Sequence, residues 1–270
     1  MYESYWGLNE SPFRGALDPR FYFNSPVHEE ALARMNFLID NRRRVGLMMS
    51  RSGSGKSLLL EVLASQLRRA GHSVAQLRCL GIDHYEFVWR LAVDLGQNVD
   101  PRWSIGCHWR AVGDVLQVNR YQRTNTVVMI DDADEAESEV LSTIVRLAQQ
   151  SPAPDSRLTI LLTCNEERVE LLGRRLLDLC ELRIELRSWQ HQDTAEYLRS
   201  TLAKAGREKP AFDVFAIARL HDLADGVPRK VRQIAELSLV AGAGQEQDLI
   251  DADTVEAVYE ELSITAGAQL

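Results

Sequence analysis

The 270-residue sequence lacks an uninterrupted apolar stretch of the roughly 18 residues that a membrane-spanning helix needs. Its start, MYESYWGLNES, lacks the basic and apolar regions of a secretory signal peptide. It has only 4 cysteines, no two of which form a C-x-x-C pair, and most of them lie in apolar-rich segments. These absences predict a cytoplasmic protein with free thiols and no membrane segment.

The sequence also lacks an excess of positive charge, since 31 lysines and arginines face 39 acidic residues, for a net charge of −8. An acidic chain repels phosphates at long range, so it would bind nucleic acid only through a local patch. The triplet Arg42-Arg43-Arg44 is a candidate for such a patch, or it solvates the end of a helix before the first strand. The 6 histidines do not show the spacing of transition-metal ligands, so no such metal site is expected. The remaining composition, 45% hydrophobic and 26% charged, is that of an ordinary globular protein.

Short apolar runs alternate with helical patterns through the first two thirds of the chain. The runs have the length and β-branched content of strands that are buried on both faces. Strands that alternate with helices imply right-handed crossovers, and therefore an α/β fold with a parallel sheet between helices. The predicted strands are Val45–Met49, Val74–Cys79, Val127–Ile130, Leu158–Thr163 and Leu182–Leu186.

The strand pattern ends near Trp189, and helical patterns separated by Gly, Pro and Asp follow it. The sequence therefore predicts two domains, an α/β core over residues 1–187 and a small helical lid over residues 188–270. The helices predicted in the core include Tyr85–Leu95, Val140–Gln149, which the segment SPAPDS closes, and Arg168–Leu179. The helices predicted in the lid are Thr194–Ala205, Phe212–Leu223, Val227–Ala241 and Ala252–Leu262.

A phosphate-binding motif lies between the first strand and the next helix. Residues 50–57 read SRSGSGKS, close to the P-loop template G-x-x-x-x-G-K-[ST]. In this template small residues let backbone N–H groups surround phosphates, the lysine reaches the outer oxygens and the hydroxyl binds Mg²⁺. Ser50 replaces the first glycine and would be strained if that position needed a positive φ. The alternative is a Gly/Ser turn that carries a lysine. The predicted nucleotide-binding residues are Arg51, Ser52, Gly53, Ser54, Gly55, Lys56, Ser57 and Leu58.

A second motif, TVVMIDDAD at residues 126–134, ends a buried strand with acids. Carboxylates at the carboxyl end of a parallel strand lie in the crevice where α/β sheets bind ligands. We expect Asp131, with Ser57, to hold Mg²⁺, and Asp132 to activate the attacking water. The alternative is a solvated acidic turn before a helix, with Asp134 as the helix N-cap.

These motifs, together with N-terminal pieces, resemble the AAA+ ATPases of the ExeA (general secretion pathway protein A) type, relatives of the Mu B/TniB transposition ATPases. The pieces are YWGL at residues 5–8, SPF at 11–13, DPRFY at 18–22 and HEEAL at 28–32. In that family this segment precedes the P-loop and helps to enclose the adenine. Two departures are Ser50 in the P-loop and Asp132 where the family usually has Glu. Full-length members also continue into a membrane segment and a peptidoglycan-binding domain, which this sequence does not contain.

The resemblance implies three further catalytic residues. Asn165 occupies the sensor-1 position, although it is equally suited to cap the following helix. GVPRKV at residues 226–231 is similar to the sensor-2 motif and places Arg229 against the nucleotide; the alternative is a surface arginine. The helix dipole disfavours cations in the first turn of a helix, so the presence of both Arg229 and Lys230 there suggests that they bind an anion. An arginine from a neighbouring subunit completes the family's site, with Arg175 as first candidate and Arg174 as second; the alternative is a pair of solvated helix cations.

The expected function is that of a Mg²⁺-dependent ATPase whose catalytic residues include Lys56, and whose nucleotide lies where the two domains meet. Hydrolysis would drive assembly or remodelling of a protein partner by a homo-oligomer, as the resemblance to ExeA-type proteins implies. Two alternatives stay open at this point. One is an ATP-gated DNA-binding adaptor like the transposition relatives, which the acidic balance disfavours. The other is a weakly hydrolysing interaction module, which Ser50 and Asp132 suggest.

Overall fold

A computed structural model describes residues 2–13, 22–150 and 156–267 of the chain. These residues contain a five-stranded sheet in which neighbouring strands run parallel in the order β2-β3-β4-β1-β5. The strands are β1 Val45–Ser50, β2 Ser73–Arg78, β3 Thr126–Asp131, β4 Leu158–Asn165 and β5 Leu182–Glu185. The helices are α1 Tyr2–Trp6, α2 Pro26–Asp40, α3 Lys56–Arg69, α4 His84–Asp94, α5 Ile105–Tyr121, α6 Ser138–Gln149, α7 Arg174–Leu177, α8 His191–Lys204, α9 Val214–Ala224, α10 Pro228–Gly244 and α11 Ala252–Gly267.

All five predicted strands are present within one or two residues of their expected bounds. In β3 the residues Thr126–Ile130 are buried and only the terminal Asp131 is partly exposed. This is the burial expected of a central parallel strand covered on both faces. Because the strands are parallel and in register, their last residues meet at one edge: Ser50 is paired with Asn165, and Arg78 with Asp131.

The contacts divide the chain into two units. Unit 2 comprises His28–Ser52 and Lys56–Leu186, and it contains the sheet. Unit 1 comprises Met1–Val27, Gly53–Gly55 and Arg187–Leu270. The predicted division into residues 1–187 and 188–270 stays a prediction.

Within unit 1, the N-terminal helix α1 packs with the C-terminal helices, although the sequence-based division placed it with the sheet. The indole N–H of Trp6 donates to the carbonyl of Leu239 at 2.7 Å. The Arg207 guanidinium lies 4.9 Å from the Trp6 ring and donates to the Trp6 carbonyl at 2.8 Å. The hydrogen bond of the Trp6 indole and the stacking of Arg207 fix the position of α1. Both are contacts between distant parts of the chain, which helical periodicity does not report.

The helix predicted over Arg168–Leu179 is wrong. A 3₁₀ helix spans Glu166–Leu172, and α7 begins only after Gly173. Gly173 has φ 74° and ψ 148°, a conformation that cannot continue a helix and that glycine adopts without strain. Helix α5, which begins after the N-cap Ser104, is not among the predicted helices. Residues 151–155 of the segment SPAPDS, the expected break after the predicted helix Val140–Gln149, lie outside the described residues. The same holds for residues 18–21 of the N-terminal piece DPRFY.

The four cysteines are free thiols, with Cys79 and Cys164 buried, Cys180 partly buried and Cys107 exposed. In the described ranges no helix is both long and apolar enough to cross a membrane.

Candidate nucleotide-binding site

The P-loop leaves β1 at Ser50 and enters α3 at Lys56. Gly53 and Gly55 have φ values of 88° and 98°, a region that residues with a side chain rarely adopt. Ser50 is the last residue of β1 and is not among the described residues with positive φ. The strain considered for Ser50 therefore does not arise, because the glycine-dependent positions of this loop are 53 and 55.

Lys56 is buried at the first position of α3, with its ammonium directed back into the loop. Its Nζ donates to the carbonyl of Ser50 at 3.0 Å, to the Ser50 hydroxyl at 3.1 Å and to the carbonyl of Arg51 at 3.3 Å. Burial lowers the pKa of Lys56, whereas nearby Asp132, Cys164 and Asp131 act in the opposite direction. The serine that replaces the first template glycine thus supplies an additional acceptor for the lysine.

Asp131 is held between two hydroxyl groups. Ser57 Oγ donates to Asp131 Oδ2 at 2.6 Å, and Thr163 Oγ1 donates to Asp131 Oδ1 at 2.5 Å. Thr163 Oγ1 also accepts the backbone N–H of Asp132 at 3.0 Å. The structure therefore brings together the two predicted Mg²⁺ ligands, Ser57 and Asp131. It adds Thr163, a fully buried residue that the sequence analysis missed.

Asp132 follows β3 in the left-handed region, with φ 52°. Its Oδ2 accepts a hydrogen bond from Arg78 Nε at 2.9 Å, and Arg78 is the last residue of the neighbouring strand β2. Burial raises the pKa of Asp132, Asp131 raises it further, and the bond to Arg78 acts against both. The candidate base is thus held by an arginine that the sequence analysis did not single out.

Asn165 caps the 3₁₀ helix that follows β4, where its side-chain oxygen accepts the N–H of Glu167 at 3.2 Å. The capping interpretation of this side chain is confirmed, and the sensor role stays a prediction. The N–H of Asn165 donates to Asp134 Oδ1 at 3.1 Å. Asp134 is buried and lies 3.5 Å from Arg168. The alternative interpretation, in which Asp134 caps a helix, is wrong, because its carboxylate binds the backbone of Asn165 and lies beside Arg168 instead.

Within unit 1, Arg229 contacts the glycine turn. Its backbone N–H donates to the carbonyl of Gly53 at 3.1 Å, and its side chain is exposed. A Cβ added to Gly53 would lie 2.9 Å from Arg229 Cβ. Gly53 is therefore required both by its positive φ and by the approach of Arg229.

The candidate finger arginines lie on α7 and are both exposed. Arg174 has a side chain that is 94% exposed and lies 3.9 Å from Asp178. Arg175 lines a cleft of about 410 Å³ together with Arg146 and other residues of α6. No P-loop residue lines this cleft.

The arrangement fits a magnesium nucleotide. A hydroxyl and a carboxylate supply hard oxygen ligands, which Mg²⁺ prefers alongside water and phosphate oxygens. The glycine turn and a buried ammonium suit an anionic phosphate, and α3 directs its N-terminus at the loop. The described residues thus define a class of site, a P-loop site at the carboxyl edge of a parallel α/β sheet.

The comparisons with known proteins agree with this class. Residues 39–172 match the sequence model of a family described as AAA domain. General secretion pathway protein A of Aeromonas hydrophila is 26% identical over 265 residues, which cover 96% of this chain. This chain spans 48% of the length of that protein. The resemblance to AAA+ ATPases of the ExeA type is therefore confirmed.

Solved structures show the same fold. Cdc6p of Pyrobaculum aerophilum has a TM-score of 0.69 at 17% identity, covering 93% of this chain and 70% of that one. The Aeropyrum pernix ORC1 protein, solved in complex with DNA, has a TM-score of 0.66 at 15% identity, with 90% and 67% covered. The Thermotoga maritima RuvB branch migration motor has a TM-score of 0.60 at 14% identity, with 93% and 73% covered. The predicted P-loop AAA+ fold is confirmed.

Proposed function

We propose that this chain binds ATP with Mg²⁺ and hydrolyses it, and that hydrolysis drives the assembly or remodelling of a protein partner. The observation that supports this most directly is the bond of 2.6 Å between Ser57 Oγ and Asp131 Oδ2. A P-loop hydroxyl and a strand-end carboxylate are the pair that P-loop ATPases use to hold the metal. The match of residues 39–172 to an AAA domain supports the same function.

In this proposal Ser57 and Asp131 hold Mg²⁺, which when bound neutralises phosphate charge. Lys56 exchanges its contacts with Ser50 and Arg51 for phosphate oxygens. The loop from Arg51 to Leu58 offers its backbone N–H groups to the phosphates. These residues bind and neutralise the anion, as P-loop catalysis requires.

Asp132 accepts the proton of the attacking water, and Asn165 and Arg229 contact the nucleotide. Arg175, or Arg174, acts on the nucleotide of a neighbouring copy, as the resemblance to the ExeA-type family implies; both side chains are exposed. Specific activity would then rise with protein concentration. Activity that is independent of concentration and unaffected by the double substitution Arg174→Ala/Arg175→Ala would contradict the trans role.

Asp132 also favours a second candidate, a nucleotide-dependent interaction module that hydrolyses slowly. Its carboxylate is bonded to Arg78 at 2.9 Å, and it is one methylene shorter than the Glu usual in the resembled family. The cytoplasmic location and the homo-oligomeric state stay predictions. The name of the Aeromonas relative makes a component of a secretion pathway the first partner to test.

The test compares two lysines. Lys56→Ala should weaken ATP binding in calorimetry by one to two orders of magnitude, because hydrogen bonds to charged groups contribute roughly 1.5–3 kcal/mol. Lys204→Ala, an exposed lysine on α8, is the control and should bind like wild type. Asp132→Asn should bind ATP and lose phosphate release. Equal affinity of the two lysine variants would reject the P-loop assignment, and full turnover by Asp132→Asn would reject the base.

A further inference from the structure

The amino edge of the sheet, where the five strands begin, is lined with arginines. The six residues before each strand contain, in the described part of the chain, eight arginines and three carboxylates, and no lysine. The carboxylates are Asp40, Asp178 and Glu181. The arginines, named here the basic edge, are Arg42, Arg43, Arg44, Arg68, Arg69, Arg120, Arg123 and Arg157.

The segments that carry these arginines lie side by side. The N–H of Ser73 donates to the carbonyl of Asn125 at 3.0 Å, and the N–H of Thr126 donates to that of Arg157 at 2.7 Å. The N–H of Ile160 donates to the carbonyl of Arg44 at 2.8 Å. Neighbouring strands are about 4.8 Å apart, so the starts of β2, β3, β4 and β1 form a row of about 14 Å. A duplex presents one phosphate charge per about 1.7 Å of its axis, so such a row faces several phosphates.

Half of these arginines have no ion pair with another residue of the described ranges. Arg42, Arg68, Arg69 and Arg123 are exposed, and none has an ion pair with another described residue. Arg43 lies 3.3 Å from Glu181, with both side chains exposed to solvent. The basic edge therefore presents a local positive field in a chain whose net charge is −8.

The helix dipole explains only part of the basic edge. Arg68 and Arg69 lie in the last turn of α3, where a helix C-terminus attracts cations. Arg42 and Arg123 lie beyond helix ends with φ values of 53° and 59°, a region in which glycine or asparagine is preferred. Arg42 and Arg123 are thus exposed arginines at backbone positions where local conformational preference favours glycine or asparagine.

We propose that the basic edge binds the sugar-phosphate backbone of a nucleic acid. The guanidinium group binds phosphate oxygens in pairs, which favours arginine over lysine at such surfaces. Tyr121 is 91% exposed beside Arg120 and offers a ring on which a sugar or base can pack. This surface lies at the opposite end of the strands from the P-loop and does not depend on the proposed ATPase function.

The experiment measures fluorescence anisotropy of the full chain with a labelled duplex and a single strand of equal length. Salt is varied from about 50 to about 200 mM, over which binding through phosphate contacts weakens steeply. The edge variant carries R42Q, R68Q, R69Q and R123Q. The control variant removes the same charge from four exposed arginines outside the edge, with R34Q, R90Q, R110Q and R199Q.

The edge variant should bind at least about tenfold more weakly. Its slope of log affinity against log salt concentration should become shallower by about one for each phosphate that an arginine no longer neutralises. The control should stay within about twofold of wild type, since arginines distant from the nucleic acid act only through a screened field. Thermal melting shows whether each variant is folded. If the fourfold variant does not fold, the double variants R42Q/R123Q and R68Q/R69Q test the same surface with fewer changes. A preference for duplex or single strand identifies the form bound.

Three outcomes overturn the proposal. The first is no binding of either nucleic acid at the lowest salt concentration. The second is an equal decrease in affinity in the edge and control variants. The third is binding to phosphatidylserine vesicles that equals or exceeds binding to nucleic acid, which would assign the basic edge to a lipid surface.

Discussion

The two edges of one sheet differ in the environment of their charged side chains, which are buried or hydrogen-bonded at the carboxyl edge and mostly exposed at the amino edge. At the carboxyl edge, Lys56 is 8% exposed, and Asp131 is held by Ser57 and Thr163. At the amino edge, Arg68 and Arg69 are exposed without an ion pair in the described ranges. Buried, hydrogen-bonded charges are positioned for chemistry, whereas exposed unpaired charges act at longer range and are screened by salt.

The difference teaches that the burial and hydrogen bonding of charged side chains distinguish a catalytic site from a surface that attracts a ligand electrostatically. A buried charge without a partner is costly, so the carboxyl edge must keep its hydrogen bonds to stay folded. At the amino edge, replacing the exposed Arg68 or Arg69 by glutamine should change stability little. A substitution at one edge, set against a matched substitution at the other, tests this difference directly.

The largest effect should come from the two buried threonines of β4. Thr163 Oγ1 bonds Asp131 and Asp132 at the carboxyl edge, and Thr159 Oγ1 donates to the carbonyl of Arg43 at 2.8 Å at the amino edge. Thr163→Val should lower the free energy of unfolding by about 1–3 kcal/mol, because it removes hydrogen bonds from the Asp131 carboxylate and the Asp132 N–H, both partly buried. It should also lower phosphate release by about tenfold or more, as expected when groups that position a catalytic carboxylate are removed.

Thr159→Val is the matched control, since the same substitution in the same strand removes one bond to a carbonyl. It should lower stability by about 1 kcal/mol and leave phosphate release per folded molecule unchanged. Urea unfolding and a phosphate-release assay measure both quantities. Equal loss of activity in the two variants would show that Thr163 acts only through stability.

Much of the carboxyl edge could be predicted because its signals are local. Each of its two motifs lies within nine consecutive residues. Four apolar residues of a strand precede Asp131, and a Gly-Ser loop precedes Lys56. Short apolar runs bounded by turn residues and acids define buried strands well. The predicted positions of Ser57 and Asp131 in one site follow from parallel strands that end at one edge.

What the sequence analysis missed depends on strand order. Arg78 and Thr163 reach Asp132 because β2 and β4 flank β3, and no local pattern encodes this order. Gly173 ended a helix whose leucine spacing looked continuous, since a positive φ is a backbone property that periodicity does not report. The amino edge was visible only as the triplet Arg42–Arg44, because its other arginines come from separate segments of the chain.

An intermediate effect should appear in the pH dependence of hydrolysis. Burial raises the pKa of Asp132, and Arg78 acts against that rise. A general base works when deprotonated, so turnover should fall as the pH drops through this pKa. Arg78→Gln removes the opposing influence, so the acidic limb of the rate profile should move to higher pH. Arg69→Gln at the amino edge should leave the limb in place.

The measurement is phosphate release at saturating ATP across the acidic range, for wild type and both variants. Arg78 is exposed, so solvent screening limits its influence and we expect a shift of up to about one pH unit. An unmoved limb in Arg78→Gln would mean that Asp132 does not control the profile. A limb that moves to lower pH would mean that Arg78 raises the pKa of the base by another route.

The smallest effect concerns the backbone of the amino edge. Arg42 and Arg123 have φ values of 53° and 59°, where a side chain costs roughly 1 kcal/mol and glycine is strain-free. Arg42→Gly and Arg123→Gly should therefore raise the free energy of unfolding by a few tenths to about 1 kcal/mol, less the greater chain entropy of glycine in the unfolded state. Arg69→Gly, at the end of α3, should lower it by up to about 1 kcal/mol. All three changes remove one charge from the basic edge, so all three should weaken nucleic-acid binding to a similar extent. Urea unfolding beside anisotropy separates the two effects. If Arg42→Gly and Arg123→Gly stabilise the protein and bind nucleic acid as wild type does, these two arginines do not serve the surface.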